Sequence, residues 1–141
     1  MSELNTIPVF VYGSLRPGAN GATGMMAAAA VAGPWSGVVA AELRYHECGA
    51  YPVLIANDDE LTRGEMFLVD EYSKAWQWLL NMEIDAGYTP RWVEVVAQQS
   101  DGTAGKTLCL TFMWEHDYSA LRPVPNGDWL TADRASWPRR N

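Results

Sequence analysis

The pattern of apolar and polar positions along this chain predicts mostly strands. Val9, Phe10 and Val11 form an apolar run without a polar interruption, within a predicted first strand over residues 7–12. Such a run is typical of a strand that is buried on both faces. Alternating or β-prone segments predict the other strands, over residues 36–44, 53–56, 63–69, 91–98 and 106–114.

Turn-forming residues separate these strands. Residues 57–60 predict a polar turn, and residues 100–102, Ser-Asp-Gly, predict a hairpin-type turn. Residues 49–52 predict a turn or an irregular edge, because the proline at the end cannot donate to a ladder. Gly37 is a predicted bulge. The segment after Tyr118 is rich in Pro, Asn, Gly and Trp and predicts a tail that wraps the surface.

Two helices are predicted among the strands. Strong helix formers over Met25–Ala32 predict the second half of a short helix that begins near Ala22 and ends at Gly33-Pro34. Residues 70–82 predict a longer helix, with Asp70 as the N-cap.

The order of these elements predicts an α+β fold. Strands predominate, and no regular alternation of strand and helix is present, which favours a small mixed, strongly bent sheet that closes into a β-barrel. One long helix and one or more short helices flank this barrel. The length of 141 residues suits a single domain over residues 1–141.

Composition and charge restrict the partners and the location. A hydrophobic fraction of 48% indicates a globular chain, and a net charge of -7 argues against a nucleic-acid partner. Residues 1–5 lack a secretory pattern, and the apolar run Met25–Ala32 is too short to span a bilayer, so we expect a cytoplasmic protein without a membrane partner. Cys48 and Cys109 predict buried free thiols. The choice between a monomer and a homodimer stays open.

Glu83 is the residue that most strongly suggests chemistry. Tyr72, Trp76 and Leu79 recur at helical spacing and form an apolar stripe. Glu83 continues that stripe, so a carboxylate stands at the end of a face that should meet the core. Burial would raise the pKa of this carboxyl, which suits general acid–base catalysis near neutral pH. Two alternatives stay open: the helix ends before Glu83, or Glu83 pairs with Arg91.

The segment after the first strand, Tyr12-Gly13-Ser14-Leu15, is the second candidate. Gly13 removes the side chain at the strand exit, which would let a ligand approach the backbone. Several main-chain N–H groups could then form a cradle for an anion or a carboxylate. The alternative is an ordinary strand followed by a turn.

Other groups of residues give weaker evidence for a functional site. The run His46-Glu47-Cys48, with His116 or Cys109, matches no zinc-ligand spacing, so core or turn roles are favoured. The glycines of residues 18–24 match neither a dinucleotide fingerprint nor a phosphate loop.

Hydroxyl groups offer a further set of candidates. Ser14 does not lie in a Gly-x-Ser-x-Gly sequence, which argues against a serine hydrolase. Tyr51, Tyr88 and Tyr118 could each offer a hydroxyl to a ligand, although core or rim positions are the ordinary role of tyrosine.

Taken in order, five short blocks resemble the γ-glutamylcyclotransferase-like family, which includes the AIG2-like proteins. They span residues 7 to 130, nearly the whole chain, and the ordered set is more specific than any one block. The blocks are Tyr12–Leu15, Gly49–Leu54, Arg63–Phe67, Leu79–Glu83 with Tyr88 and Arg91, and Gly127–Trp129.

The resemblance implies a small mixed β-barrel and a metal-independent enzyme without a cofactor. The implied reaction is the intramolecular cleavage of a γ-glutamyl amide to 5-oxoproline and a free amine or amino acid. Glu83 would be the general acid and base. The resemblance also implies a set of substrate-binding residues: Tyr12, Gly13, Ser14, Leu15, Tyr51, Pro52 and Tyr88.

The chain departs from the family pattern near Glu83. Leu80 stands where the family usually has an acid, and Ile84 stands where a glycine commonly follows the glutamate. A non-catalytic small-molecule binding module of the same fold is therefore the alternative to the enzyme. Within the enzyme hypothesis, the leaving group is either an amino acid or another amine.

Overall fold

Five strands and two helices make up most of the chain in the computed structural model, which describes residues 5–17, 19, 23–98 and 101–131. Two short 3-10 helices follow, at Pro125–Gly127 and Trp129–Thr131. The elements before them are, in order, β1 (Thr6–Val11), α1 (Thr23–Ala29), β2 (Ala30–Tyr45), β3 (Pro52–Asp70), α2 (Lys74–Asp85), β4 (Thr89–Gln98) and β5 (Ala104–Met113).

The five strands form a closed barrel in the order β1-β3-β2-β4-β5. A parallel pairing of Val9 in β1 with Leu110 in β5 closes the barrel, and the other pairings are antiparallel. The sheet is therefore mixed, and the predicted α+β barrel is confirmed.

The strand β1 is buried on both faces, as its uninterrupted apolar run predicts. Val9 and Val11 pack in a cluster that includes Trp76 of α2. Phe10 points the opposite way, into a cluster formed mainly by strand residues such as Val95. This double burial brings the end of β1 into the centre of the molecule.

Two short predicted strands belong to one long strand, β3. Ala41 of β2 pairs with Ala56, and the adjacent Ala40 pairs with Leu61. The turn predicted over residues 57–60 is wrong, because these polar residues lie within β3, where they have no partner in β2. The predicted bulge at Gly37 is wrong, because Gly37 pairs in register with Gly64 and the register shifts lie elsewhere in β2.

The predicted first helix is too long. The helix α1 ends at Ala29, and β2 starts at Ala30, which pairs with Val69. Gly33-Pro34 lies inside β2 and does not end a helix. Helix propensity is weak, and ladder pairing with β3 overrides it here.

The predicted second helix is shifted along the chain. Asp70 is the last residue of β3, and its carboxylate accepts a hydrogen bond from the Tyr72 N–H. Ser73 is the N-cap, with its hydroxyl accepting a hydrogen bond from the Trp76 N–H at 3.2 Å. The helix α2 continues to Asp85, so Glu83 lies within its last turn.

The segment after residue 120 packs along β2. The Tyr45 N–H donates to the Arg122 carbonyl at 2.8 Å, and the Val124 N–H donates to the Leu43 carbonyl at 2.8 Å. The Trp129 side chain is buried and packs edge-on against the Tyr45 ring, so the segment contributes to the core as well as covering it. Among the described residues, neither helix is long and apolar enough to cross a membrane.

Candidate active site

The eight residues predicted to form a site line one cavity of about 290 Å³. Three elements meet there: the end of β1 with its following loop, the start of β3, and the last turn of α2 with the residues after it. The cavity is bordered by these predicted residues: Tyr12, Gly13, Ser14, Leu15, Tyr51, Pro52, Glu83 and Tyr88. The rest of its wall is apolar: Phe10, Val11, Met82, Ala86 and Phe112.

The loop after β1 forms a tight turn at the edge of the cavity. The Arg16 N–H donates to the Gly13 carbonyl at 2.9 Å and closes the turn. Within the described part of the chain, the N–H groups of Gly13, Ser14 and Leu15 donate no hydrogen bond. Main-chain N–H groups that are left unpaired beside a cavity can stabilise an anion.

The glycine at position 13 is required because the Pro52 ring packs directly against it. A Cβ placed on Gly13 would lie 2.6 Å from Cγ of Pro52. The sequence suggests that this glycine admits a ligand to the backbone. The structure gives a different reason, since the absent side chain admits the proline ring.

Glu83 lines the cavity, and among the described residues its side chain forms no hydrogen bond and no ion pair. Burial raises the pKa of the Glu83 carboxyl to about 7. Near neutral pH this group is therefore present in both protonation states.

Both structural alternatives for Glu83 are wrong. The helix α2 does not end before it. Arg91 forms a bidentate pair with Glu115 instead, at 2.7 Å for both hydrogen bonds. Leu80 and Ile84, the two departures from the family pattern, do not belong to the cavity wall. Ile84 is 45% exposed, so its side chain faces away from the site.

Two tyrosines, Tyr12 and Tyr88, line the cavity together with Glu83. Tyr12 donates to the carbonyl of Phe112, and Tyr88 donates to the carbonyl of Pro52 at 2.7 Å. Burial raises the pKa of both phenols, and the nearby Glu83 charge raises each further. Both hydroxyls therefore stay neutral, and both already have a structural acceptor.

Tyr51 belongs to an aromatic group beside the cavity. Its ring stacks on His46 with centroids 4.5 Å apart, and it lies 6.5 Å from the Tyr88 ring. Trp114 packs against both His46 and Tyr88. Tyr118, the third tyrosine considered from sequence, lies elsewhere, with the Arg44 guanidinium 5.0 Å from its ring centroid.

The metal-ligand and nucleophile hypotheses gain no support from the geometry. The described residues contain no group of three His, Cys, Asp or Glu side chains that could hold a metal ion. His46 Nδ1 accepts a hydrogen bond from the Cys48 N–H at 3.2 Å, and His116 Nε2 lies 2.9 Å from the Gly87 carbonyl oxygen. Neither contact involves Ser14. Both cysteines are free thiols, but only Cys109 is buried; Cys48 is partly exposed, against the expectation from sequence.

Sequence reasoning missed a charged network behind the loop. Arg16 is 5% exposed and binds both Glu65 and Asp128. Burial alone would lower the pKa of the Arg16 guanidinium, but the bonds to Glu65 and Asp128 hold that pKa above its usual value. Glu65 and Asp128 both occur in blocks that carry the family resemblance, but nothing in their spacing indicates a shared partner.

Comparison with known proteins supports the resemblance. A family model described as γ-glutamyl cyclotransferase, AIG2-like, matches residues 9–131. An AIG2-like protein from Mus musculus is similar in structure over 96% of this chain and 98% of its own, with 17% identity and a TM-score of 0.62. A uropathogenic E. coli-specific protein is similar over 89% and 93%, with 19% identity and a TM-score of 0.60.

A further similar structure is a γ-glutamyl cyclotransferase. It covers 86% of this chain and 73% of its own, with 14% identity and a TM-score of 0.54. Identities this low show a shared fold. No curated protein matches the chain by sequence.

Proposed function

Since this chain belongs to the γ-glutamyl cyclotransferase, AIG2-like family, we propose that it is a cyclotransferase that cleaves a γ-glutamyl amide into 5-oxoproline and a free amine. One observation carries the proposal. Glu83, a half-buried residue whose carboxyl has a pKa of about 7, lines the same cavity as Gly13, Ser14 and Leu15, whose N–H groups have no acceptor among the described residues. The first group can exchange a proton at neutral pH, and the second can bind a carboxylate.

The substrate's glutamyl end fits these two features. Its α-carboxylate accepts hydrogen bonds from the N–H groups of residues 13–15. Its α-ammonium group then lies against Glu83, where opposite charges attract. The apolar wall formed by Phe10, Met82 and Phe112 encloses the methylene groups of the chain. The γ-carbonyl is thereby folded back towards the α-nitrogen.

The reaction needs a base first and an acid afterwards. Glu83 accepts a proton from the α-ammonium group, and the freed amine attacks the γ-carbonyl carbon to close a five-membered ring. Glu83 then gives the proton to the departing nitrogen, and the amide C–N bond breaks. The α-nitrogen loses a second proton as the ring closes, and Glu83 relays this proton to the released amine in the same way. The amine therefore leaves as an ammonium ion, Glu83 returns to its starting state and no water is consumed.

The environment of Glu83 suits both roles. A carboxyl with an ordinary pKa would be a weak base for an ammonium group and would almost never be protonated at neutral pH. Burial brings the pKa of Glu83 to about 7 and makes each transfer accessible. Holding the two reacting ends of one substrate together supplies a further part of the rate enhancement.

A mass-spectrometric assay tests the proposal. The protein is incubated in ¹⁸O water with a panel of γ-glutamyl amino acids and γ-glutamyl amines. We expect 5-oxoproline without ¹⁸O, together with one equivalent of free amine. Glutamate that contains ¹⁸O would indicate hydrolysis and would contradict the cyclisation mechanism. Binding of the panel without any product would favour a non-catalytic binding module.

A further inference from the structure

Arg16 directly follows the loop that binds the carboxylate in the proposed function. Its main-chain N–H closes the turn onto Gly13, and its side chain is buried. Arg16 does not belong to the wall of the cavity. Any contribution of Arg16 to ligand binding would therefore be made through the loop.

Among the described residues, two carboxylates from distant parts of the chain bind the guanidinium of Arg16. Its Nε and Nη2 donate to the two carboxylate oxygens of Glu65, both at 2.8 Å. Its Nη1 donates to Asp128 Oδ1 at 2.8 Å. A planar guanidinium bound in this way has a fixed position and orientation.

The carboxylates of Glu65 and Asp128 are both held in place by the surrounding structure. Glu65 is in β3 and pairs with Val11, the last residue of β1. Asp128 Oδ1 also accepts a hydrogen bond from the Leu130 N–H at 3.1 Å, which fixes its rotamer. Its neighbour Gly127 lies so close to β3 that a Cβ there would be 2.0 Å from the Leu61 carbonyl oxygen.

We propose that Arg16 is a positioning residue, which holds the N–H groups of Gly13, Ser14 and Leu15 in the orientation that binds the substrate's α-carboxylate. This inference rests on the proposed function. It makes the segment around Asp128, which does not line the cavity, part of what determines substrate affinity. Substrate and 5-oxoproline carry the same carboxylate, so the binding of both depends on Arg16.

The substitution Asp128→Asn tests the inference with little change of shape. The amide keeps an oxygen for the Leu130 N–H but removes the charge that Arg16 Nη1 binds. We expect KM for the γ-glutamyl substrate and the inhibition constant of 5-oxoproline to rise together, by about fivefold to tenfold. The kcat per folded molecule and its pH midpoint should stay unchanged, because Glu83 is untouched. The matched control is Glu115→Gln, which breaks the exposed pair with Arg91.

A purely structural role would give a different result. Loss of folded enzyme lowers the apparent kcat and leaves KM and the inhibition constant unchanged, and that outcome would overturn the inference. If Asp128→Asn does not fold, Arg16→Lys is the variant to test. Lysine keeps the positive charge but cannot bind Glu65 and Asp128 with the planar geometry of a guanidinium. The same rise in KM is expected there.

Calorimetry with 5-oxoproline separates this inference from the proposed function. Wild-type protein that binds 5-oxoproline but makes no product would refute the proposed activity. The inference would then be judged by whether Asp128→Asn weakens that binding. A wild type that neither binds 5-oxoproline nor forms it from any substrate of the panel would refute both.

Discussion

Gly13 and Pro52 are in direct contact, and the contact joins the two halves of the cavity wall. A Cβ on Gly13 would lie 2.6 Å from Cγ and 2.7 Å from Cδ of the Pro52 ring. The carbonyl of the same proline accepts the hydroxyl of Tyr88 at 2.7 Å. Pro52 therefore links the loop after β1 to Tyr88, which lies three residues after the end of α2.

Substituting Gly13 by alanine should damage the site more than the fold. The added methyl group must displace Pro52 or the loop, which costs about 1–3 kcal/mol of the free energy of unfolding. Moving the loop also misplaces the N–H groups of residues 13–15, so we expect kcat/KM to fall by about tenfold to a hundredfold. Steady-state kinetics on Gly13→Ala and chemical denaturation measure the two effects.

The control for this prediction is Gly102→Ala. Gly102 has a φ of +87°. Apart from its two chain neighbours, no described residue has an atom within 4 Å of the position that a Cβ would take, so alanine strains the backbone there without touching the site. Its stability should fall by about 1 kcal/mol while kcat/KM per folded molecule stays at the wild-type value. A Gly13→Ala enzyme that matches Gly102→Ala in kcat/KM would contradict the role given to the loop.

Glu83 should destabilise the folded protein at high pH. Its folded pKa of about 7 lies above the ordinary value of 4.5. The folded state therefore binds this proton more tightly, so stability is fully present below about pH 4.5 and is lost as the pH rises through about 7. Relative to wild type, Glu83→Gln should gain about 2–3 kcal/mol in free energy of unfolding between about pH 4 and pH 8.

Urea denaturation of both proteins across this pH range measures that difference. Because only Glu83 differs, other titrating groups cancel in the comparison. A difference that stays constant with pH would mean that the carboxyl has an ordinary pKa in the folded state.

The activity should depend on the ionisation of Glu83. The base form accepts the proton, so kcat/KM should rise with pH through a midpoint near 7. In the complex, the substrate's ammonium charge stabilises the carboxylate, so the midpoint of kcat should lie below that of kcat/KM. A pH profile of initial rates, at limiting and at saturating substrate, tests this order. Equal midpoints near the ordinary glutamate pKa would contradict it.

The hydroxyl of Tyr88 should contribute to structure and not to chemistry. Tyr88→Phe leaves the buried carbonyl of Pro52 without its donor, which costs about 1–2 kcal/mol of stability. We expect kcat to fall less than about tenfold, with an unchanged pH midpoint, because no proton transfer is lost. Tyr118→Phe is the matched control, since Tyr118 is 40% exposed and lies outside the cavity wall. A loss of kcat as large as that of Glu83→Gln would make Tyr88 a catalytic residue.

Much of the fold could be predicted because the strongest sequence patterns are local. The apolar run from Val9 to Val11 correctly indicated a strand buried on both faces. The alanines after Met26 led to a predicted helix that is too long. Their helix propensity carries no information on the strand pairing between Ala30 and Val69. The capping of α2 was misplaced for a similar reason: Asp70 is a good N-cap residue, but pairing with Thr6 holds it in β3.

Part of the cavity wall could be predicted from the helical spacing of residues in α2. Glu83 stood out because one helical stripe combined it with Trp76 and Leu79, which are buried as expected. Tyr72, the predicted start of that stripe, precedes α2 and is 69% exposed. Arg16 could not be recognised, because its partners Glu65 and Asp128 lie 49 and 112 residues away in the sequence. Such contacts depend on barrel closure, which no local pattern encodes.

The rate of 5-oxoproline formation by wild type and by Glu83→Gln tests the central claim most directly. Glutamine keeps the shape of the side chain but can neither accept nor donate the proton. The measurement uses equal amounts of folded protein, with Glu115→Gln as a control that also removes one carboxylate. We predict that the wild type and Glu115→Gln release 5-oxoproline at similar rates and that Glu83→Gln loses at least about a hundredfold in kcat. Turnover by Glu83→Gln at the wild-type rate would contradict the account.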